Sequence, residues 1–298
     1  MRDPTPPDPS SALPGRPIGL TLAFVPVLVL GVLLGAGIGV LASPAECTDA
    51  PTPSWCLLIQ GMYGSMMPAL LLLLVALRLG KGKAPIYLGG MRGPRRWGLG
   101  IAVGLALPLP ALLVAWALGN VSIHTATDSI LLAPTLAILA VAALSEELIF
   151  RGYLLGVLER WMPAWAALLV SSLAFGAAHA ANPGMRGFSA YLLGLLGVAV
   201  AGLGLGLLTQ RTGSLWASWG VHLAWNLSIG CLWGLPVSGL DLPSVMTSSI
   251  GGSERLWGGD FGPEAGLFFQ LSWLLLLLYL ASSAWRVTTD SGAAPSPK

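Results

Sequence analysis

The stretch SEELIFRG at residues 145–152 places three charged side chains inside a segment that is otherwise apolar enough to cross a membrane. A charged side chain near the bilayer centre costs at least ~2.5–3.5 kcal/mol, so three together require a reason. Glu147 and Arg151 stand four residues apart with the acid first, which is the favourable order for an ion pair on one helix face. Glu146 lies about 100° further round the helix and is left for another purpose. Such a buried carboxylate marks a candidate functional site.

The composition of the whole chain is that of a membrane protein. Of its 298 residues, 55% are hydrophobic and 9% are charged, whereas ~25% are charged in typical soluble proteins. The formal net charge is +2, and no basic run or aromatic-interleaved basic patch occurs, so nucleic acid is not a predicted partner. We therefore predict a polytopic protein whose main surroundings are the lipid bilayer.

The hydropathy pattern divides the chain into one transmembrane domain at 18–286 between two disordered tails, 1–17 and 287–298. The first apolar segment is too long for a signal-peptide core of ~7–15 residues, so we interpret it as a retained helix. The loop at 236–264 is the longest and is too polar to span, and its role is open. The predicted fold is an all-α bundle with its active site inside and about eight spans, at 18–42, 57–79, 97–118, 130–158, 164–181, 189–208, 214–235 and 265–285.

Lysine and arginine residues are unevenly distributed between the two sides of this predicted bundle. With the N-terminus inside, the outer loops hold only Arg186 and Arg255. Because basic residues favour the cytoplasmic side, we predict that both termini are cytoplasmic. The inner loops and tails hold Arg2, Arg16, Arg78, Lys81, Lys83, Arg92, Arg95, Arg96, Arg160, Arg211, Arg286 and Lys298.

The sequence contains only three cysteines. Cys47 and Cys56 flank a short Pro-rich loop on the predicted outer side, where they can close a disulfide. Two cysteines this close in sequence can equally stay reduced, so both interpretations are open. Cys231 lies in an apolar segment, and we expect it to be a small buried hydrophobic residue.

Two of the three histidines fall within predicted spans, His179 in the fifth and His222 in the seventh. Asn226 follows His222 by four residues and therefore lies on the same helix face. Each histidine alone is more often a hydrogen-bonded structural residue. Two of them together with two glutamates in the membrane favour a shared polar site.

These residue types can hydrolyse a peptide bond. Glu146 can take a proton from a water molecule, and an imidazole can orient that water. Attack on a carbonyl develops an oxyanion, and His222 and Asn226 can donate hydrogen bonds to it. Preorganised donors of this kind are commonly worth ~2.7–4 kcal/mol each in the transition state.

Three other kinds of chemistry stay open to different degrees. A zinc-dependent protease could use His179, His222 and one glutamate as ligands, although H-E-x-x-H is absent from the sequence. Ser145 is a poor nucleophile candidate because no G-x-S-x-G turn surrounds it. A protein that relays ions or transports a solute could use the same polar site without catalysis, although no inverted repeat of broken helices is evident.

Three motifs occur in order on three predicted spans: Glu146-Glu147-x-x-x-Arg151, Phe175-x-x-x-His179 and His222-x-x-x-Asn226. They resemble the motifs of the CPBP family of intramembrane glutamic endopeptidases, which includes CAAX prenyl endopeptidases and the Abi bacteriocin-processing and self-immunity proteins. The motif-bearing core is about 130–230. The first three spans and the 236–264 loop carry no motif of this family.

The resemblance implies an eight-helix intramembrane protease that needs no cofactor. In such a protease Glu146 and His179 would activate water, His222 and Asn226 would form the oxyanion site, and Glu147 and Arg151 would support the site. The substrate could be a prenylated protein, a bacteriocin precursor or other secreted peptide, or a C-terminal sorting tail, and bacteriocin immunity is a further role within the family. The Ala/Leu/Gly-rich spans and short loops favour a prokaryotic plasma membrane. The sequence indicates no oligomeric state.

Overall fold

The computed structural model describes residues 18–44, 47, 54–79, 87, 93–125, 132–184 and 187–282. Within these ranges the chain is a bundle of apolar helices, which confirms the predicted polytopic helical fold. Both predicted disordered tails, 1–17 and 287–298, lie outside the described residues.

The long helices follow the predicted spans closely. Three helices of 25 or 26 residues are uninterrupted, whereas a π-helix interrupts one of the others and a second π-helix ends another. The elements in chain order are α1 (Ile18–Ala42), α2 (Ser54–Leu79), α3 (Gly93–Ala106), α4 (Leu109–Ala117), β1 (Val121–Thr125), α5 (Leu132–Glu147), π1 (Leu148–Leu154), α6 (Leu155–Leu158), α7 (Ala164–Ala178), α8 (Phe188–Thr212), α9 (Leu215–Asn226), π2 (Leu227–Leu232), β2 (Met246–Ile250), α10 (Glu254–Trp257) and α11 (Leu267–Ala281). Two short 3-10 helices, Gly259–Phe261 and Pro263–Ala265, lie between α10 and α11.

Five segments are long and apolar enough to cross a membrane, and α7 and α11 are shorter apolar helices. The number of spans, predicted as eight, therefore stays a prediction. The third predicted span is divided into α3 and α4, with Pro108 at the start of the second piece, because a proline cannot donate a hydrogen bond to the preceding turn. The five long segments are 18–42, 56–78, 93–117, 132–158 and 188–212.

A two-stranded antiparallel ribbon joins two of the loops, a feature that the all-α prediction overlooked. β1 pairs with β2 so that Val121 lies opposite Ile250 and Thr125 lies opposite Met246. β1 (VSIHT) alternates apolar and polar residues only over its first four positions, and β2 (MTSSI) shows no such alternation, so the pairing was not evident in the sequence. The ribbon gives the long 236–264 loop a fixed place beside the loop after α4.

The connections between helices gather at two opposite ends of the bundle. One end, here called the ribbon face, carries β1 and β2, and there the Asn182 amide donates to the Ser238 carbonyl oxygen at 3.2 Å. The segment from α5 to α6 starts at this face and ends at Glu159, which accepts a hydrogen bond from the Tyr87 hydroxyl at the other end, the Tyr87 face. Burial and the neighbouring Glu159 raise the pKa of Tyr87, which keeps this hydroxyl a donor.

Cys47 and Cys56 form a disulfide between the end of α1 and the start of α2. Helix α1 begins at the Tyr87 face, where the Trp161 indole donates to the Thr21 hydroxyl at 2.8 Å. Since α1 runs the length of the bundle to Ala42, the disulfide lies at the opposite end, on the ribbon face.

Glycines allow α3 and α9 to pack in direct backbone contact. A Cβ atom added at Gly100 would overlap the carbonyl oxygen of Ala217, and one added at Gly220 would overlap that of Trp97. Close approach of this kind is a common use of small residues between membrane helices. The contact fixes α9, and with it His222, against a rigid neighbour.

We predict that Gly100→Ala destabilises the protein by ~1–3 kcal/mol, because the added methyl group forces α3 away from α9. The matched control is Gly98→Ala on the same helix, where an added Cβ meets nothing within 4 Å. That substitution should be neutral or slightly stabilising, since alanine favours the helix. Thermal unfolding in detergent measures both, and equal melting temperatures for the two variants would contradict this interpretation.

Candidate active site

The predicted site residues come from three helical segments that meet inside the bundle. Glu146 and Glu147 end α5, and Arg151 lies in π1 directly after them. His179 caps the end of α7, whereas His222 and Asn226 lie in α9. A hydrogen bond of 2.8 Å from the Ser171 hydroxyl to the Phe150 carbonyl oxygen fastens α7 to π1.

Glu147 and Arg151 form the predicted ion pair, and both are completely enclosed. Arg151 Nη1 lies 2.9 Å from Glu147 Oε1, and the exposed fractions of the two side chains are 1% and 0%. The second guanidinium nitrogen, Nη2, donates to the Gly202 carbonyl oxygen on α8 at 3.4 Å. Because each charge compensates the other, the pair can persist where a single charge could not.

His222 joins the two glutamates. Its Nδ1 lies 2.9 Å from Glu147 Oε1, and its Nε2 lies 3.8 Å from Glu146 Oε2. A carboxylate only accepts hydrogen bonds, so Nδ1 carries the proton and donates to Glu147. The contact with Glu147 therefore fixes the ring orientation and directs Nε2 toward Glu146. The sequence did not reveal this contact, because residues 147 and 222 lie on different helices.

The two adjacent glutamates differ in exposure. The Glu146 side chain is 26% exposed, while that of Glu147 is 0% exposed. The helix rotation between consecutive residues turns Glu147 toward Arg151 and Glu146 toward open space. Only Glu146 is therefore accessible to a water molecule or a substrate.

Phe175 is the contact that connects all three motifs. Its ring centroid lies 4.1 Å from the guanidinium carbon of Arg151, a cation–π geometry. The same ring meets His179 edge-on at 4.9 Å and His222 at 5.9 Å. The sequence assigned no role to Phe175, although it is part of a motif. In the structure its ring lies between the guanidinium group of Arg151 and the two histidines.

His179 is held by its own helix. Its Nδ1 lies 2.9 Å from the Phe175 carbonyl oxygen, which can only accept, so Nδ1 donates and Nε2 is left with a lone pair. An imidazole in this state can accept a hydrogen bond from water. Asn226 is partly buried one helical turn after His222, and the amide can both donate and accept.

The four predicted catalytic residues line one cavity of about 600 Å³. Glu146, His179, His222 and Asn226 are among its polar lining, and most of the other lining side chains are apolar, such as Leu139. Its volume is within the range of ~300–1,000 Å³ that is typical of ligand sites. The structure thus brings the four predicted catalytic residues to one space, with Glu147 and Arg151 directly behind it.

Among the residues that the structure describes, no group of three His, Cys, Asp or Glu side chains is arranged to hold a metal ion. The zinc set considered from the sequence, His179 and His222 with one glutamate, does not form such a group here. His222 directs one ring nitrogen to Glu147, and His179 directs one to a backbone carbonyl.

Two further polar residues of the cavity come from the 236–264 loop and were not singled out in the sequence. Ser238 and Glu264 both line it, and the Glu264 side chain is buried. No periodic pattern or motif marks residues of an irregular loop, so only the three-dimensional structure relates them to the site.

Taken together, the fold and this cavity define a polytopic membrane protein with a carboxylate–imidazole site inside its helix bundle. Residues 127–228 match the family model described as Rce1-like, type II CAAX prenyl endopeptidase. The match includes every residue of the three motifs and confirms the family resemblance for this part of the chain. It supports a membrane protease of the CAAX type. No curated protein and no solved structure matches the chain significantly.

We predict that Arg151→Met destabilises the protein by ~3–5 kcal/mol, because it leaves the Glu147 carboxylate buried without its cation. The double variant Glu147→Gln/Arg151→Met should lose less, since no uncompensated charge is left in the bundle. Unfolding in detergent of the wild type, both single variants and the double variant gives the coupling between the two sites. Additive losses would contradict an ion pair of structural importance.

Proposed function

We propose that this protein is an intramembrane endopeptidase that hydrolyses a peptide bond of a membrane-associated or secreted substrate with water activated by Glu146 and His179. The observation that carries the proposal is the bridging position of His222, between Glu147 at 2.9 Å and Glu146 at 3.8 Å on the wall of a cavity. This arrangement pairs one accessible carboxylate with a ring whose orientation is fixed.

The reaction begins with a water molecule between Glu146 and His179. Glu146 takes one proton as the water oxygen attacks the scissile carbonyl carbon, and His179 Nε2 accepts a hydrogen bond that orients the water. The C–O bond that forms converts the carbonyl oxygen into an oxyanion. When the tetrahedral intermediate collapses, the C–N bond breaks and Glu146 returns its proton to the leaving amine.

The oxyanion needs donors, and two residues of α9 can supply them. The Asn226 amide donates directly. His222 can donate from Nε2 only as an imidazolium, because Nδ1 already donates to Glu147, and the Glu147 carboxylate stabilises that cation. Glu147 thereby acts through His222, and Arg151 keeps Glu147 charged and in place. Such preorganised donors do not need to reorient during the reaction.

The ribbon face is proposed to be extracytoplasmic, with the substrate reaching the cavity from that side. The basic loops favour the Tyr87 face as the cytoplasmic one. The Cys47–Cys56 disulfide lies on the ribbon face, and disulfides persist in oxidising compartments. The cavity is lined by Asn182, Ser238 and Glu264 from connections on the ribbon face. Together these features favour an exported substrate over a cytosolic one.

Substituting the proposed base is the direct test of the mechanism. We expect Glu146→Gln to lower kcat by ~10²–10⁴, the contribution of a general base, and Asn226→Ala to lower it by ~10²–10³, the contribution of one oxyanion donor. Purified protein in liposomes is assayed with quenched fluorescent apolar peptides, each with and without a C-terminal prenyl group. Glu254→Gln, an exposed carboxyl group in the long loop, is the matched control.

The mechanism is wrong if Glu146→Gln cleaves at the rate of the wild type. Melting temperatures of all variants in the same detergent separate loss of chemistry from loss of folding. Inhibition by a chelator that added zinc reverses would instead favour the metal-dependent alternative.

The orientation is tested with single cysteines and a membrane-impermeant maleimide applied to intact cells. In a background that lacks all three native cysteines, Ser253→Cys should react from outside, because it is an exposed position just after β2 on the ribbon face. The control is Ala164→Cys, an exposed position near the Tyr87 face that should react only after permeabilisation. The opposite labelling pattern would reverse the proposed orientation.

A further inference from the structure

Glu264 is a buried carboxyl group on the wall of the catalytic cavity that the proposed mechanism does not use. Its side chain is 7% exposed, and it lines the same space as Glu146, His179, His222 and Asn226. It lies beyond residue 228, where the family match ends. The long loop therefore adds one more ionisable group to the cavity, and this group comes from outside the matched segment.

Among the residues that the structure describes, the donors around this carboxyl group are all neutral. The Ser238 backbone N–H donates to Oε2 at 3.2 Å, and the Ser238 hydroxyl donates to Oε1 at 3.4 Å. The Trp225 indole, on the helix of His222 and Asn226, and the backbone N–H of Glu264 itself also lie close enough to act as donors to it. These contacts orient the group without neutralising it, in contrast to Glu147, which has Arg151 beside it.

The backbone of Glu264 is fixed as firmly as its side chain. The Gln270 side chain donates to its carbonyl oxygen at 3.2 Å. On the other side α8 approaches so closely that a Cβ atom added at Gly197 would overlap the same oxygen. Gly262, two residues earlier, has a φ of 101°, a conformation that favours glycine. Glu264 is therefore preorganised to meet a ligand in the cavity.

We propose that Glu264 is a specificity-determining residue that binds a basic side chain of the substrate near the scissile bond. This inference rests on the proposed function. A carboxylate surrounded by apolar walls and neutral donors binds best to a group that brings the missing positive charge. The same carboxylate repels an acidic side chain, so it discriminates by charge in both directions. The substrate class that follows is an apolar peptide segment with a lysine or arginine beside it.

The ionisation state of Glu264 sets the conditions of the test. Burial raises its pKa to about 7. At pH 8 the group is therefore mostly charged, and its preference for a basic side chain is expressed. Glu146, His179 and His222 line the same cavity, so rates are compared between substrates at this one pH rather than across pH values.

The experiment uses one quenched apolar peptide with Lys, Gln or Glu placed in turn at each position around the scissile bond. We expect the wild-type protein in liposomes at pH 8 to cleave the Lys peptide at least about tenfold faster than the Glu peptide at one position. Glu264→Gln, which keeps an oxygen for the Ser238 and Trp225 donors, should reduce this ratio to near one. The Lys-to-Glu ratio is taken within each variant, so a change in the overall rate of Glu264→Gln does not affect it.

One control variant and two overturning outcomes make the test decisive. Glu254→Gln removes an exposed carboxylate from the same loop and should preserve the Lys preference. Equal rates for the three peptides at every position in the wild type overturn the inference, and this comparison holds even if Glu264→Gln fails to fold. A Lys preference that persists unchanged in a folded Glu264→Gln variant overturns it as well.

The inference and the proposed function fail in different ways. Cleavage that depends on Glu146 but shows no charge preference rejects the role of Glu264 alone. Absence of cleavage in the wild type rejects the proposed function, and binding of the same labelled peptides then tests Glu264 by itself. In that case the Lys peptide should bind the wild type at least about tenfold more tightly than it binds Glu264→Gln, and equal affinities reject the inference.

Discussion

The burial of one charge pair, Glu147 with Arg151, is the constraint on which the other contacts of the site depend. A single charge at this depth would be too costly, so the two residues must stay together. Their contacts then fix three neighbours: the Gly202 carbonyl accepts from Arg151, the Phe175 ring lies on its guanidinium group, and His222 donates to Glu147. One compensated pair thus aligns α7, α8 and α9 around the cavity.

The sequence predicted the helices and singled out polar residues that line the cavity, because both predictions depend on local information. Span limits follow from hydropathy, and α1 has the predicted bounds of 18–42. The charged residues stood out because charge is rare in apolar segments. The hydrogen bond between His222 and Glu147 could not be predicted, since it depends on how two distant helices rotate against each other. The role of Glu264 was hidden for a similar reason, because its loop has no periodic pattern to orient its side chains.

The π-helices are a second feature that the sequence did not indicate. π1 starts directly after Glu147, and π2 starts directly after Asn226. Segments of this kind occur often at functional sites, because the wider turn moves the following side chains relative to a regular helix. Here each one follows a proposed site residue, so the regular part of the helix holds that residue while the wider part adapts to the packing beyond it. Propensity differences between α- and π-helix are too small to mark such a change in a sequence.

The two adjacent glutamates differ in their surroundings: Glu147 is part of the buried ion pair, whereas Glu146 is accessible and is the proposed base. The proposed hydrolysis consumes water, so the proposed base must be accessible while its surroundings stay rigid. Glu146 is 26% exposed to the cavity, whereas Glu147 is fully enclosed and is charge-compensated by Arg151.

The two faces of the bundle differ in how the cavity can be reached. At the Tyr87 face, hydrogen bonds from Tyr87 and Gln210 to Glu159 hold the helix ends together. At the ribbon face, polar loop residues reach the cavity instead. Under the proposed function, water and substrate are expected to enter from the ribbon face, where Glu264 is proposed to select the substrate before it reaches Glu146.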